Sequence, residues 1–232
     1  MNWTDPKTNE LTRGFRELGF LPEAFVNLLA MLGWNDGTEQ EIFSMAELVE
    51  KFSMDRVHKN GAKFDYEKAK WYNHEWIKHY PVSALKPAVQ QSLEAAGIAV
   101  TDSSYLDKVI TLVKDRCTFI TDFPLQAGFL FTTPQQYDLA AVQPKWNDQK
   151  ELFFAEAIRQ FQLLHNWDAP SLEHTFKELA AAHKIKPGDV LMPLRVMLVG
   201  GKFGPAVFDI AALLGKEASI ERIKHFIALL KA

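Results

Sequence analysis

The chain has 232 residues and a formal net charge of −3, from 26 lysines and arginines against 29 aspartates and glutamates. A chain of this length is long for a single domain and long enough for two domains of ordinary size. Non-specific nucleic-acid binding rests on many basic groups that neutralise phosphates, so the near-neutral balance excludes a protein that holds nucleic acid by overall charge. Any nucleic-acid contact is therefore expected to be local and to depend on shape.

Cys117 is the only cysteine, so the chain cannot form an intramolecular disulfide. This single cysteine, with the lack of a signal peptide and of a long apolar run, predicts a cytoplasmic protein without membrane contact. Cys117 lies in a predicted apolar helix, and we expect it to be a small packing residue.

Helix start and stop signals predict helices in the first half of the chain, after twenty polar residues without a helix or strand signature. The first helix begins with Pro22 and ends at Gly33. Ser44 and Glu47 form a capping box, which predicts a second helix from about 45 to 52. Asp65 is a suitable cap for a third helix that reaches Pro81. Two further helices are predicted at 86–96 and 103–117.

The second half shows the same pattern, with a short helical piece at 121–133 and a candidate boundary at 134–148. Helices are predicted at 151–165, 170–183, 187–200, 205–214 and 216–230, and Pro193 should kink or shorten the third of these. Period-two alternation is scarce, so the predicted class is all-α, with consecutive helical subdomains. Their junctions are expected near Tyr80 and within 134–148.

No local signature of catalysis or metal binding occurs in the sequence. His74 and His79 are five residues apart and therefore do not share a helix face as zinc-protease histidines do. Nucleotide-binding glycine motifs, a nucleophile elbow and a Cys-x-x-Cys pair are also missing. The sequence predicts no catalytic centre, no metal site and no cofactor in this chain.

The stretch from Pro187 to Ile223 combines helix start and stop signals with positive charge. One predicted helix ends at Gly200 and Gly201, and the next begins with Pro205 at its first position. The loop between them enters a helix N-terminus, where unpaired N–H groups can bind a phosphate or the oxygen edge of a base. The alternative is an ordinary helix-turn-helix corner without a ligand.

Basic residues accompany this loop. From Lys184 to Lys224 there are seven lysines and arginines against four acidic residues. Arg195, on the outward face of its predicted helix, and Lys202 are placed beside the loop. Lys114 and Arg116 lie at the end of another predicted helix, where the helix dipole alone already favours them.

Three segments resemble the C-terminal half of bacterial glutamyl-tRNA synthetases, which are class I enzymes. They are GFLPEAFVNLLAMLGW (19–34), EIFSMAELVEKFSMDRVHKNGAKFDYEKAKWYN (41–73) and PLRVMLVGGKFGPAVFDIAALLGKEASIERI (193–223). The family's catalytic motifs are missing, so the resemblance implies an excised piece with Met1 added at the cut. It implies the end of a stem-contact domain at 1–80 and two helical anticodon-binding subdomains at 81–145 and 146–232.

The resemblance also implies site residues. Arg116, in LVKDRCTF, and Arg195, in PLR, fall where the family has anticodon-reading arginines, and Gly204, Pro205 and Val207 fall at the other anticodon-contacting positions. Lys114 and Lys202 are candidates for contacts with the tRNA backbone. Glycine replaces the family's usual serine or threonine at position 204, so contacts there are expected from backbone groups.

The implied partner is glutamate tRNA, without DNA or membrane partners, and the chain is expected to be a monomer. The parent enzyme would ligate glutamate to tRNA with ATP and Mg²⁺, whereas this chain would bind the anticodon without catalysis. The alternative is a helical protein-interaction module of a synthetase-derived protein. A complete enzyme with a dispersed active site is the third and least favoured hypothesis. Arg116 and Arg195 are expected on one concave face.

Overall fold

The computed structural model describes residues 2–58 and 61–231, and its regular secondary structure is almost entirely helical. The all-α class predicted from the sequence is confirmed. The α-helices are α1 (Pro22–Met31), α2 (Met45–Lys51), α3 (Tyr66–His79), α4 (Val82–Ala95), α5 (Ser103–Val113), α6 (Phe123–Phe131), α7 (Asp148–Leu163), α8 (Ala169–Ala182), α9 (Pro187–Val199), α10 (Val207–Leu214) and α11 (Lys216–Lys231). Short 3₁₀ turns span Met54–Arg56, Lys114–Arg116, Ile120–Asp122, Leu139–Ala141 and Gln143–Lys145.

A small hairpin precedes α1, where the sequence predicted neither helix nor strand. Strands β1 (Trp3–Thr4) and β2 (Leu11–Thr12) pair antiparallel. The carboxylate of Asp5 accepts a hydrogen bond from the N–H of Lys7, which starts the turn between them. Two exposed residues per strand are too few to produce a detectable alternation of polar and apolar residues, so the prediction was wrong here.

Capping signals were reliable guides to helix starts. Ser44 and Glu47 form the predicted capping box, and the carboxylate of Asp65 accepts from two N–H groups in the first turn of α3. Proline was a poorer guide. Pro205 does not begin α10, because Ala206 is extended and the helix starts at Val207. Pro193 does not shorten α9, which continues through it to Val199.

The chain folds into two compact units. The first consists of Met1–Gly97 and Lys114–Pro124, and the second of Ile98–Val113 and Leu125–Ala232. The chain thus enters the second unit with α5, returns to the first, and then completes the second. The division at 1–80, 81–145 and 146–232 stays a prediction.

The first unit is held together by packing between α1 and α3 and by two buried amides, those of Asn27 and Asn73. Leu28 and Tyr72 belong to its apolar core. Asn27 accepts from the N–H of Phe43 and from an indole N–H, and donates to a backbone carbonyl. Such satisfied buried amides fix a loop in one position, because any shift would leave polar groups unpaired.

The second unit has a core rich in aromatic rings. Phe153 of α7 meets Phe176 of α8 edge to face, with ring centroids 5.0 Å apart. Phe176 in turn contacts Phe208 of α10. Edge-to-face rings pack favourably, and this chain of contacts fixes α10 against α7 and α8.

Cys117 lies in the first unit and is fully buried, consistent with the predicted packing role. Burial, assisted by the charge of Asp122, raises the pKa of the Cys117 thiol from about 9 to about 12. The folded chain therefore keeps this proton at a pH where the unfolded chain loses it. The resulting stabilisation is complete below pH 9 and is lost as the pH rises towards 12.

We predict that the wild type loses more unfolding free energy between pH 8 and pH 11 than Cys117→Ala does. The folded thiol keeps a proton that the unfolded chain releases, so unfolding of the wild type becomes coupled to proton release in this range.

Below pH 9 the thiol is protonated in the folded and the unfolded chain, and above it only the unfolded chain gains the favourable ionised form. The buried tyrosines are common to both proteins, so the difference isolates the thiol. Urea unfolding at each pH measures it, and equal losses in the two proteins would contradict the assigned environment of this thiol.

Candidate nucleic-acid interface

The loop between α9 and α10 begins at a glycine that no other residue can replace without strain. Gly200 closes α9 in the left-handed conformation, with φ of 89°, as the sequence predicted. A Cβ atom there would lie 2.7 Å from the carbonyl oxygen of Gln136 and 2.9 Å from Cβ of Pro134. The loop therefore leaves the helix in close contact with the segment 134–138.

The same segment supports the start of the loop through hydrogen bonds. The N–H of Asp138 donates to the carbonyl of Gly200 over 2.8 Å. The Asp138 carboxylate lies 3.3 Å from the ammonium of Lys202, whose side chain is 58% exposed. An exposed pair of this kind contributes little to stability, so Lys202 can exchange its carboxylate for another anion.

Arg195 holds the second half of the loop. Its Nη1 donates to the carbonyl oxygens of Phe203, Gly204 and Pro205, at 3.1, 3.1 and 2.6 Å. Gly204, between the other two, has φ of 98°. The guanidinium, predicted to point outward, is half-buried and gathers three consecutive carbonyls. Hydrogen bonds from a charged group are stronger than neutral ones, so Arg195 fixes the backbone shape of the loop.

The predicted contact residues differ in accessibility. Gly204, Pro205 and Val207 are buried, so they can offer a ligand little beyond backbone groups. The exposed side chains of the loop are those of Lys202, Phe203 and Ala206.

Phe203 is the functional candidate that the sequence patterns did not reveal. Its side chain is 38% exposed, although its ring also packs edge-on against Phe129 at a centroid distance of 6.0 Å. A partly exposed ring that is fixed from behind provides a stacking surface for a nucleobase. The signal in the sequence was an aromatic residue beside a lysine within a glycine-rich loop.

The N-terminus of α10 faces the same loop. Ala206 is its cap residue and provides no side-chain hydrogen bond, so the helix begins without a side-chain cap. Asp209 lies in the first turn and is exposed. Its negative charge opposes binding of a phosphate, whereas a neutral base oxygen can still accept from backbone N–H groups.

Arg116 and Lys114 lie in the first unit, in the 3₁₀ turn that follows α5. The predicted helix 103–117 changes from α to 3₁₀ geometry after Val113. Arg116 is exposed, whereas Lys114 is half-buried and donates to the carbonyl of Tyr80 over 3.3 Å. Arg195 belongs to the other unit, so the shared concave face of the two arginines stays a prediction.

Two other kinds of feature are absent from the described parts of the chain. Within residues 2–58 and 61–231, no group of three or more histidine, cysteine, aspartate or glutamate side chains is arranged to hold a metal ion. The Nδ1 atoms of His74 and His79 lie within hydrogen-bonding distance of backbone carbonyls. In the same ranges, no helix is both long and apolar enough to cross a membrane.

Comparison with protein families gives two matches. Residues 66–227 match the family model described as an anticodon binding domain. Residues 7–71 match the model of the catalytic domain of class I tRNA synthetases for E and Q. The first match includes the whole loop between α9 and α10, as well as Arg116 and Arg195.

Curated relatives and solved structures agree with these matches. The chain is 37% identical over 231 residues to the glutamate–tRNA ligase of Christiangramia forsetii, covering 100% of this chain and 46% of the relative. It is 40% identical over 225 residues to that of Flavobacterium psychrophilum, covering 97% and 44%. A crystal structure of a glutamate tRNA ligase from Elizabethkingia meningosepticum, in complex with its amino acid, superposes with a TM-score of 0.87 at 36% identity. That match covers 99% of this chain and 45% of the ligase.

Gly200→Ala is expected to destabilise the second unit by about 1–3 kcal/mol, because alanine is strained at this φ and its Cβ meets a backbone carbonyl. Gly188→Ala is the matched control, since Gly188 lies in the same helix and nothing stands within 4 Å of an added Cβ. We expect the control to be neutral or slightly stabilising. Urea unfolding measures both variants, and an equal change in both would contradict the described loop geometry.

Proposed function

Because the chain belongs to the glutamate–tRNA ligase family and contains its anticodon-binding domain, we propose that it recognises the anticodon of glutamate tRNA. The chain spans about 45% of the length of the relatives it matches. The proposal therefore concerns RNA recognition. Attachment of glutamate, with ATP and Mg²⁺, is proposed only for a protein that also has the catalytic motifs missing here.

The observation that carries the proposal is the fixed loop with an exposed aromatic ring. Sequence-specific RNA recognition targets single-stranded loops, whose bases stack on aromatic side chains and are hydrogen-bonded at their edges. The loop around Phe203 supplies the stacking surface, and the N-terminus of α10 supplies backbone donors. Arg195 and Gly200 hold the stacking surface and the backbone donors in place before any ligand binds. This reduces the conformational entropy that is lost on binding.

The predicted site residues take different roles in this proposal. Gly204, Pro205 and Val207 contribute through backbone groups, since Gly204 has no side chain and those of Pro205 and Val207 are buried. Arg195 contributes by fixing the loop carbonyls and by presenting its guanidinium beside the bound base. Lys202 offers its ammonium to a phosphate, in exchange for the carboxylate of Asp138.

Arg116 is proposed as a second anticodon contact, made by the first unit. It is exposed, and a guanidinium fork suits the acceptor edge of a base or a phosphate. Lys114 beside it is proposed to contact the RNA backbone, although its ammonium must then share its donors with the carbonyl of Tyr80.

We predict that Phe203→Ala weakens binding of a stem-loop carrying the glutamate anticodon by about 1–3 kcal/mol, the usual contribution of a stacked base. Phe203→Trp should keep most of the affinity, because it keeps the stacking surface. Leu163→Ala is the control, since Leu163 is also in the second unit and is 72% exposed. Fluorescence titration measures all three. Unchanged affinity in Phe203→Ala, with an intact helical spectrum, would remove the ring from the site.

For Arg116→Gln we expect a loss of about 1–3 kcal/mol if the arginine reads a base edge, by analogy with bidentate contacts in duplex DNA. Preference at one anticodon position should then disappear. A contact with phosphate alone would lower the affinity for every anticodon equally and reduce the log–log salt slope by about one. Titrations with single-base anticodon variants separate these cases. No change in affinity or preference, in both Arg116→Gln and Arg195→Gln, would favour a protein-interaction module.

A further inference from the structure

A groove with a basic lining lies in the second unit, at the other end of α9 from the loop that contains Phe203. It has a volume of about 520 Å³ and is formed where α7 and α9 begin. The groove is lined by four lysines, Lys145, Lys150, Lys184 and Lys186. Among the described residues that line the groove, only Asp189 is acidic. The excess of positive charge makes the groove suited to an anion.

Ion pairing separates these four lysines from several other lysines of the same unit. Elsewhere in the unit, Lys177, Lys202, Lys224 and Lys231 each pair with a carboxylate. Within residues 2–58 and 61–231, none of the four groove lysines has a carboxylate oxygen within 4.0 Å of its ammonium. Their positive charge is therefore not neutralised locally by an ion pair.

Lys150 is the most constrained of the four. Its residue is only 8% exposed, and its ammonium donates one hydrogen bond, of 2.7 Å, to the carbonyl of Lys145. An ammonium has three donors, and a buried charge without an opposite charge is costly. Lys150 also lines an adjoining cavity of about 220 Å³. An anion bound in this region would supply the opposite charge that the buried ammonium of Lys150 lacks.

Backbone geometry adds to the positive potential and fixes the walls. Lys186 is the cap residue of α9 and provides no side-chain hydrogen bond, so the helix dipole adds partial positive charge at the groove. The amide of Gln149, in the first turn of α7, donates to the carbonyl of His183 over 2.9 Å. This bond links α7 to the segment that carries Lys184 and Lys186.

We propose that this groove binds the phosphodiester backbone of the RNA whose anticodon bases contact the loop around Phe203. The inference rests on the proposed function. Lys186 and Arg195 are nine residues apart, which corresponds to about 14 Å along the axis of α9 at roughly 1.5 Å per residue. One stem-loop extends over this separation. Among its described lining residues the groove has lysines and no aromatic ring, so it recognises phosphates without regard to sequence.

The test compares Lys184→Gln/Lys186→Gln with a double variant that removes the same charge elsewhere in the unit. The control is Lys177→Gln/Lys224→Gln, because both of its lysines are exposed and already paired with carboxylates. Stem-loops with the glutamate anticodon and with single-base variants are titrated against each full chain at several salt concentrations.

The groove variant is expected to reduce the log–log salt slope by about 1.4–1.8, from two lost phosphate contacts, and to weaken binding about tenfold or more at low salt. Every anticodon should be affected equally, and the control should stay within about twofold of the wild type because its charges are already paired. If the groove variant keeps the wild-type slope and affinity while the wild type still prefers its anticodon, the groove inference is overturned and the proposed function stands.

The remaining outcomes separate the two proposals further. If the wild type binds all anticodons alike and the groove variant still loses slope, phosphate binding by the groove is supported and the proposed anticodon recognition fails. If the wild type binds no RNA, both are overturned. An effect of the groove variant on preference at a single anticodon position would also overturn the inference, because phosphate contacts do not distinguish bases.

Discussion

The loop between α9 and α10 depends on three hydrogen bonds from one nitrogen atom, Nη1 of Arg195, to consecutive carbonyl oxygens. Without that guanidinium, the carbonyl oxygens of Phe203, Gly204 and Pro205 would lose this hydrogen-bond donor, and the loop backbone would have to rearrange to expose them to water. Gly200 fixes where the loop starts, because the carbonyl oxygen of Gln136 lies too close to its backbone for any side chain to fit. The geometry of a prospective base-binding surface is thus set by the chain itself.

A second arginine supports this arrangement from the neighbouring helix. Arg222 of α11 is buried, and its Nη1 donates to the carbonyl of Leu198 over 2.6 Å, in the last turn of α9. Its Nη2 donates to the carbonyl of Thr132, just after α6. Burial lowers the pKa of Arg222, while the nearby Tyr137 and Tyr105 act in the opposite direction. A cation at the C-terminal ends of two helices meets their negative dipole ends, so Arg222 fixes the point from which the loop leaves α9.

Sequence patterns predicted the helices well and the site only in part. Capping at Ser44 and Asp65 follows from local chemistry and was predictable, as was the left-handed Gly200. The role of Arg195 was not, since its bonds to loop carbonyls depend on how the chain folds back over ten residues. The partial burial of Phe203 likewise depends on tertiary packing. The family resemblance indicated which residues belong to the candidate site, whereas tertiary packing decides which atoms of those residues a ligand can reach.

The proposed base contacts of the loop and the proposed phosphate contacts of the lysines together predict a distinctive salt dependence of RNA binding. The most direct measurement is the ratio of affinities for stem-loops with the glutamate anticodon and with one altered base, followed across salt concentrations. Salt should weaken both complexes in parallel, because counterion release is common to both, and the ratio should stay constant. A ratio that falls to one as salt rises would show that charge alone produced the preference, and would contradict base reading by the loop.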